Sequence, residues 1–244
     1  MKTIILHYHL FKNAGTSLDA ALKENFDEGT GEWVTKEFSG NLEKNRAEVK
    51  QWIIDNPQAK CFSSHTAVFP IPEIDGIKII PVIFVRHPID RIVSAYTFEH
   101  NQGSKNFWPT LARNTTLAGY IETRLAFSAD RQCRNFHSHR LSTMFSEKKI
   151  EEAIKTEMAI KALPFVGLVE KYSESLERLE KLLALEGFGS IKLKPVEKNV
   201  SRGAKKSLEE KLMDIKEQLG NELYAELTQA NSVDLTCWKQ LNND

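Results

Sequence analysis

The chain lacks most features that mark secreted, membrane-spanning or disulfide-stabilised proteins. Its 244 residues include only three cysteines, Cys61, Cys133 and Cys237. Three scattered cysteines cannot form a disulfide framework, so we expect reduced thiols and a cytoplasmic location. No apolar run approaches the roughly 20 residues of a membrane span, and the amino terminus has no apolar signal core. We therefore expect no stable membrane anchor.

The chain also has no excess of charge of either sign, because 33 lysines and arginines balance 33 aspartates and glutamates. Neutrality argues against a general nucleic-acid binder, although it permits a local basic cleft. The hydrophobic fraction of 41% is ordinary for a globular protein. The length suits one large domain. We predict a single domain over residues 1–244, with a core at about 3–203 and C-terminal helices at about 207–242.

Short apolar runs alternate with segments of helical pattern along the chain. The apolar runs predict strands at 3–9, 60–64, 78–85 and 165–169. Spacings near three and four residues and the positions of Pro and Gly predict helices at 42–56, 116–127, 147–163 and 173–186. A capping box at Ser207–Glu210 begins a further helix that extends to Leu219. This alternation predicts an α/β fold with a three-layer parallel sheet.

The first motif follows the first predicted strand and leads into a helix. Its candidate anion-binding residues are consecutive: Lys12, Asn13, Ala14, Gly15, Thr16 and Ser17. Backbone N–H groups at a helix N-terminus and the helix dipole attract phosphate. Gly15 allows a close backbone approach, and Thr16 and Ser17 can also donate hydrogen bonds. A plain helix N-cap is compatible with the same residues.

The second motif follows the apolar run at 79–85. Arg86 ends the strand, Pro88 suits the first turn of a helix, and Ser94 lies about two turns along it. Arg86 and Ser94 are candidates for binding a second phosphate, because arginine can hold phosphate with paired hydrogen bonds. A structural ion pair is the alternative for Arg86. Arg91 is left open between a nucleotide contact and a structural role, and Tyr96 is expected to pack.

The two motifs together resemble the sulfotransferases that use 3′-phosphoadenosine 5′-phosphosulfate (PAPS), especially carbohydrate O-sulfotransferases related to those that act on heparan sulfate at the 2-O position. The resemblance implies a P-loop-like nucleotide-binding core. It implies that Lys12 and its loop hold the 5′-phosphosulfate and that Arg86 and Ser94 hold the 3′-phosphate. Ser201 and Arg202 fall where relatives have a nucleotide-covering loop. The implied acceptor is a hydroxyl group, most readily that of a carbohydrate.

His65 is the candidate catalytic base, because it follows the predicted strand at 60–64 and falls at the sheet edge where both phosphate motifs begin. A histidine can take a proton from a hydroxyl at neutral pH. A surface or supporting role is the alternative. His7 and His9 share one face of a strand, but no Cys or carboxylate pattern nearby favours a metal. We expect no metal. His137 stands where the resemblance leads us to expect glutamine, so no acceptor contact is carried over to it.

Two other classes of protein stay open from the sequence. One is a P-loop-type nucleotide kinase, but its pattern needs Lys between Gly and Ser/Thr. Here Lys12 precedes Gly15, and Arg86 rather than Asp follows the strand at 79–85, so a metal-free sulfuryl transfer fits better. The other is a non-catalytic relative that keeps the nucleotide cleft. The sequence does not determine the acceptor or the oligomeric state.

Overall fold

A computed structural model describes residues 1–189, 191–195 and 206–243. In chain order, the α-helices and β-strands of these residues are β1 (Lys2–Tyr8), α1 (Gly15–Lys23), β2 (Trp33–Thr35), α2 (Leu42–Asp55), β3 (Cys61–Ser64), β4 (Ile77–Val85), α3 (Pro88–Asn101), α4 (Phe107–Asn114), α5 (Leu117–Ala126), α6 (Phe136–Leu141), α7 (Glu152–Ala162), β5 (Gly167–Leu168), α8 (Tyr172–Leu183), α9 (Leu208–Ala230) and α10 (Ser232–Asn243).

The chain divides into two compact units. The sheet unit comprises Met1–Val85 and Arg140–Val200, and the helical unit comprises Arg86–His139 and Ser201–Asp244. Each unit has its own apolar core within the described residues.

The strands of the sheet unit form one parallel sheet in the order β2-β3-β1-β4-β5. The sequence prediction of a parallel α/β fold is therefore confirmed. β1 is central, and its Tyr8 lies opposite Ser64 of β3 and Ile83 of β4. The carboxyl ends of these three strands consequently meet at one edge, which is where ligand sites form in open parallel sheets.

Strand β1 is buried on both faces, as expected for the centre of a parallel sheet. Ile5 packs in a core that includes Leu18 and Leu22 of α1 and Leu176 of α8. The alternate side chain Tyr8 points to the other face and stacks on Phe69, with ring centroids 4.1 Å apart. Because side chains alternate along a strand, His7 lies on the α1 face with Ile5.

The structure corrects several predicted boundaries. The helix predicted at 147–163 begins at Glu152, and the strand predicted at 165–169 is reduced to β5. The short strand β2 and helix α4 are absent from the prediction. The capping box is confirmed, because the Ser207 hydroxyl accepts from Glu210 N–H at 3.1 Å and Glu210 accepts from Ser207 N–H at 2.6 Å. Gly220, with φ 75°, interrupts the helical geometry of α9.

The three cysteines are buried and form no disulfide within the described residues. Burial raises the pKa of the Cys61 thiol, and it raises the pKa of Cys133 to about 12. Both thiols are therefore protonated and unreactive in the folded protein. Among the residues that the structure describes, no helix is both long and apolar enough to cross a membrane.

His87 precedes helix α3 and makes the stability of the helical unit depend on pH. Its ring is 6% exposed and packs edge-on against Trp238. Burial lowers the pKa of His87 from an ordinary 6.5 to about 4. The unfolded chain therefore takes up the proton first as the pH falls, and stability present above pH 6.5 is lost towards pH 4.

We expect His87→Gln to remove that part of the pH dependence. The wild-type protein should lose up to about 3 kcal/mol more free energy of unfolding than the variant between neutral and acidic pH, at about 1.36 kcal/mol for each unit of pKa shift. Urea unfolding at intervals from pH 7 to pH 4 measures the difference. Parallel stability curves for the two proteins would show that folding does not lower the pKa of His87.

Candidate functional site

The loop between β1 and α1 has an unusual backbone. Lys12 and Ala14 both adopt positive φ angles, 64° and 59°, although neither is glycine. Asn13 is buried and helps to hold the loop, since its side chain donates to the Phe11 carbonyl at 3.0 Å and its N–H donates to the Leu10 carbonyl at 3.2 Å. Left-handed conformations of ordinary residues cost energy and concentrate at functional sites.

Helix α1 begins at Gly15 without a side-chain cap. The N–H groups of Ser17 and Leu18 already donate to the Ala14 carbonyl, at 3.0 and 3.1 Å. The N–H groups of Gly15 and Thr16 lie at the helix start, where no carbonyl of a preceding helical turn accepts from them. The first turn contains no acidic residue. The start of α1 thus has the properties of an anion site, in which Ser17 can contribute its hydroxyl rather than its N–H.

His65 directly follows β3 at the same edge of the sheet. The Oε1 atom of Glu37 accepts from the His65 backbone N–H at 3.2 Å and contacts ring atom Nδ1 at 2.8 Å. An ionised carboxylate only accepts hydrogen bonds, so Nδ1 carries the proton and Nε2 presents its lone pair. More than half of the His65 side chain is exposed. This orientation leaves Nε2 available to take a proton from a hydroxyl group.

A second cluster of polar side chains is centred on Asp19 of α1. Its Oδ1 atom contacts His7 Nδ1 at 2.7 Å, and its Oδ2 atom contacts His9 Nδ1 at 2.8 Å. The Ser63 hydroxyl also donates to Oδ1, at 2.7 Å. Burial opposes the charge of Asp19, but the two histidines outweigh it and hold its pKa far below the ordinary value. Asp19 is therefore a partly buried anion with three partners.

His9 connects the Asp19 cluster to the anion site at the start of α1 and to His65. Its ring stacks on the ring of His65, with centroids 3.8 Å apart. A Cβ atom at Gly15 would lie 2.1 Å from Cδ2 and 2.4 Å from Nε2 of His9, so only glycine fits there. The anion-binding loop and His65 thus both border the His9 imidazole. The glycine is required by this close approach, which gives a structural reason for its place in the motif.

His7, His9 and Asp19 are also a possible metal-binding set, because their ligand atoms all lie within 4.8 Å of one another. The sequence argument against a metal here was incomplete, since it overlooked Asp19. The distances of 2.7 and 2.8 Å are those of hydrogen bonds, and each histidine contacts a different oxygen. A tetrahedral zinc ion would hold its ligand atoms about 3.3 Å apart. We therefore interpret the cluster as hydrogen-bonded.

The second predicted phosphate motif lies on α3 in the helical unit. Arg86 Nε donates to Asp90 Oδ2 at 2.6 Å, and the arginine side chain is 19% exposed. A structural ion pair of this kind is the alternative to phosphate binding that the sequence allows for Arg86. Ser94 is partly buried on the same helix. Arg86 directly follows Val85, the last residue of β4, so the motif begins where a strand ends, as predicted.

Two residues near this motif have structural roles. Arg91 is 1% exposed, stacks on Phe136 and donates to the Gln132 side chain at 2.9 Å. Tyr96 donates to the Thr115 carbonyl at 3.0 Å and packs against Tyr120, as expected.

His137 is buried in the helical unit, where it contacts Asp234. Asp234 accepts from the N–H groups of His137 and Ser138, both at 2.8 Å, and so caps the start of α6. Ser201 and Arg202, the predicted nucleotide-covering residues, lie outside the described residues.

The comparisons with known proteins agree with this fold. A family model described as "Sulfotransferase family" matches residues 2–238. The chain therefore belongs to the sulfotransferase family. An uncharacterized protein of Archaeoglobus fulgidus is 40% identical to this chain over an alignment of 247 residues. The alignment covers 98% of this chain and 96% of that protein.

Proposed function

We propose that this sulfotransferase takes a sulfuryl group from PAPS and places it on a hydroxyl group, most readily that of a carbohydrate. The observation that carries the proposal is the convergence at His9 of the α1 anion site and the Glu37-oriented His65. Family membership supports sulfuryl transfer. PAPS as the donor rests on the two phosphate motifs, and the carbohydrate rests on the sequence resemblance.

The residues of the α1 anion site fit the phosphosulfate end of this donor. The N–H groups of Gly15 and Thr16, the Ser17 hydroxyl and the Lys12 ammonium would hold its oxygens. We assign the 3′-phosphate to Arg86 and Ser94 on the sequence pattern, and Ser201 and Arg202 to the same nucleotide. When bound, PAPS supplies the sulfuryl group, and adenosine 3′,5′-bisphosphate is the product that leaves.

His65 Nε2 takes the proton of the acceptor hydroxyl as the acceptor oxygen forms its bond to sulfur. Glu37 holds the opposite side of the ring and offsets the positive charge that His65 gains. The sulfur–oxygen bond to the 5′-phosphate breaks, and its electron pair stays on that phosphate oxygen. Lys12 and the start of α1 stabilise the resulting negative charge. No step requires a metal ion, and the proton on His65 then returns to solvent.

We expect adenosine 3′,5′-bisphosphate to raise the melting temperature of the protein without added metal, because a ligand selective for the native state stabilises it.

Arg86→Ala should weaken bisphosphate binding by roughly 1.5–3 kcal/mol, the value of a charge-assisted hydrogen bond. Binding of adenosine 5′-phosphosulfate, which has no 3′-phosphate, should change much less. Calorimetry with both ligands measures the two effects.

Arg113→Ala is the matched control, since Arg113 is exposed and bonds only to its own surface loop and helix. Equal losses for both ligands would show that Arg86 does not bind the 3′-phosphate. Stronger stabilisation by Mg-ATP than by the bisphosphate would favour a kinase. Tight bisphosphate binding without transfer to any member of an acceptor panel would favour a non-catalytic relative.

The cytoplasmic location belongs to the same proposal. It rests on the three buried cysteines, which remain unpaired in the part of the chain described. Tagging the protein in the organism that makes it, and then fractionating those cells, tests the location directly.

A further inference from the structure

The two ring nitrogens of His9 differ: among the described residues, Nδ1 has a hydrogen-bond partner and Nε2 has none. Nδ1 is held by Asp19 at 2.8 Å, and the Asp19 carboxylate can only accept, so Nδ1 carries a proton. Nε2 makes no hydrogen bond to any residue that the structure describes. Some side-chain nitrogen and oxygen atoms of the described residues have neither solvent contact nor a hydrogen-bond partner, and Nε2 is not one of them. Nε2 therefore opens towards solvent from a residue that is only 6% exposed.

The open nitrogen lies at the anion site. The clash of a Cβ at Gly15 with Nε2 and Cδ2 places this edge of the ring against the first residue of α1. The N–H groups there attract negatively charged oxygen. A neutral His9 would present the Nε2 lone pair to such an oxygen, and two acceptors repel each other. A protonated His9 would instead donate from Nε2 while Nδ1 still donates to Asp19.

We propose that His9 is a proton-linked ligand of the donor nucleotide: the imidazole takes one proton from solvent when the anionic phosphosulfate binds at the start of α1, and Nε2–H then donates to one of its oxygens. This inference rests on the proposed function and adds a binding residue to it. Asp19 is the positioning residue, because its carboxylate fixes the ring and neutralises the charge that the ring gains.

The charged and titratable groups around His9 allow this change. Burial lowers the pKa of His9, and the hydrogen bond that Nδ1 donates to Asp19 only partly offsets the effect, so the ring is neutral in the free protein at pH 7. The groups that face it are His7 on β1, Asp19 on α1, Glu37 after β2 and His65 after β3. Two of these are acidic, and a bound phosphosulfate adds further negative charge that favours the imidazolium.

Calorimetry of adenosine 3′,5′-bisphosphate binding tests the proposal. Titrations at pH 7.5 in buffers of different ionisation enthalpy give the number of protons taken up. We expect the wild-type protein to take up close to one more proton than His9→Phe, which keeps an aromatic ring against His65 but cannot titrate. Each unit of pH above 7.5 should weaken wild-type binding up to tenfold more than it weakens binding by His9→Phe.

Asp19→Asn keeps a hydrogen-bond acceptor for His9 but removes the charge, so it should also lose most of the extra proton uptake. His100→Gln is the matched control, because His100 is an exposed histidine on α3, and it should behave as wild type. Equal proton uptake by wild type and His9→Phe, with both binding the bisphosphate, would overturn the inference and leave the proposed function intact. No bisphosphate binding by the wild-type protein would overturn both.

Zn²⁺ alone is a further probe of the same cluster. We expect no binding of Zn²⁺ with micromolar affinity. Tight Zn²⁺ binding that is lost in Asp19→Asn would identify His7, His9 and Asp19 as a metal site and overturn the inference.

Discussion

Replacing His65 with alanine should slow sulfuryl transfer by about 10²–10⁴-fold, the usual contribution of a general base. Bisphosphate affinity should stay nearly unchanged, because His65 faces the acceptor rather than the nucleotide in the proposed mechanism. Single-turnover transfer of labelled sulfate to an acceptor found by screening, with calorimetry on the same sample, measures both quantities.

Glu37→Gln is the companion variant, since it keeps an acceptor for the His65 ring but removes the charge that offsets the imidazolium. We expect a smaller loss of rate, about 10-fold or about 1.4 kcal/mol of activation free energy, because only the offsetting charge is lost. His100→Ala, at an exposed histidine elsewhere, should transfer normally. If His65→Ala retained near wild-type transfer, His65 would not be the base, and His9, His7 or a nearby carboxylate would have to take the proton instead.

Removal of the Lys12 charge should lower both the rate of transfer and the affinity for nucleotide. We expect Lys12→Met, which keeps the apolar stem, to reduce transfer by about 10²–10³-fold, as for loss of one group that stabilises developing charge. Affinity should fall roughly tenfold or more, the scale of a lost charge-assisted hydrogen bond. Both fall because Lys12 faces the phosphate before reaction and the leaving oxygen during it.

Lys12→Arg should recover part of both losses, and Lys161→Ala should have no effect, since Lys161 is an exposed lysine paired with Glu157 on α7. A Lys12→Met protein that binds nucleotide weakly but transfers at the normal rate once saturated would assign Lys12 to binding alone. The contrast with His65→Ala separates the two residues, because only Lys12 should change affinity.

The strand–loop–helix at the start of the chain is predictable because local sequence determines most of it. The apolar residues Ile4, Ile5 and Leu6 are buried on both sides of a central strand, and Gly15 marks the helix entry. The same reasoning finds β4 and the beginning of α3, where Pro88 occupies the first helical turn. Apolar periodicity and turn residues predict these strands and helix starts from local sequence, and no long-range contact needs to be known.

The partners of the candidate site residues are not predictable in this way. Glu37 follows β2, a three-residue strand within a polar stretch that has no alternating pattern. Asp19 looks like an ordinary polar residue of an amphipathic helix until α1 packs on the sheet and brings it to His7 and His9. The positive φ angles of Lys12 and Ala14 likewise depend on the loop contacts of Asn13. These features arise from tertiary structure, and they orient the histidines.

The interleaving of the two units along the chain has a consequence for biosynthesis. The core of the sheet unit combines Ile5 and Leu18 with Leu176, Leu183 and Leu193, and the core of the helical unit combines residues of α3 with residues of α9. No single cut of the chain releases either unit whole. During translation the central strands must leave the ribosome long before their α8 partners exist. The sheet core stays incomplete until Leu193 has been made, and the helical core until Leu227 has been made, so the nascent chain exposes its apolar strands long after they leave the ribosome.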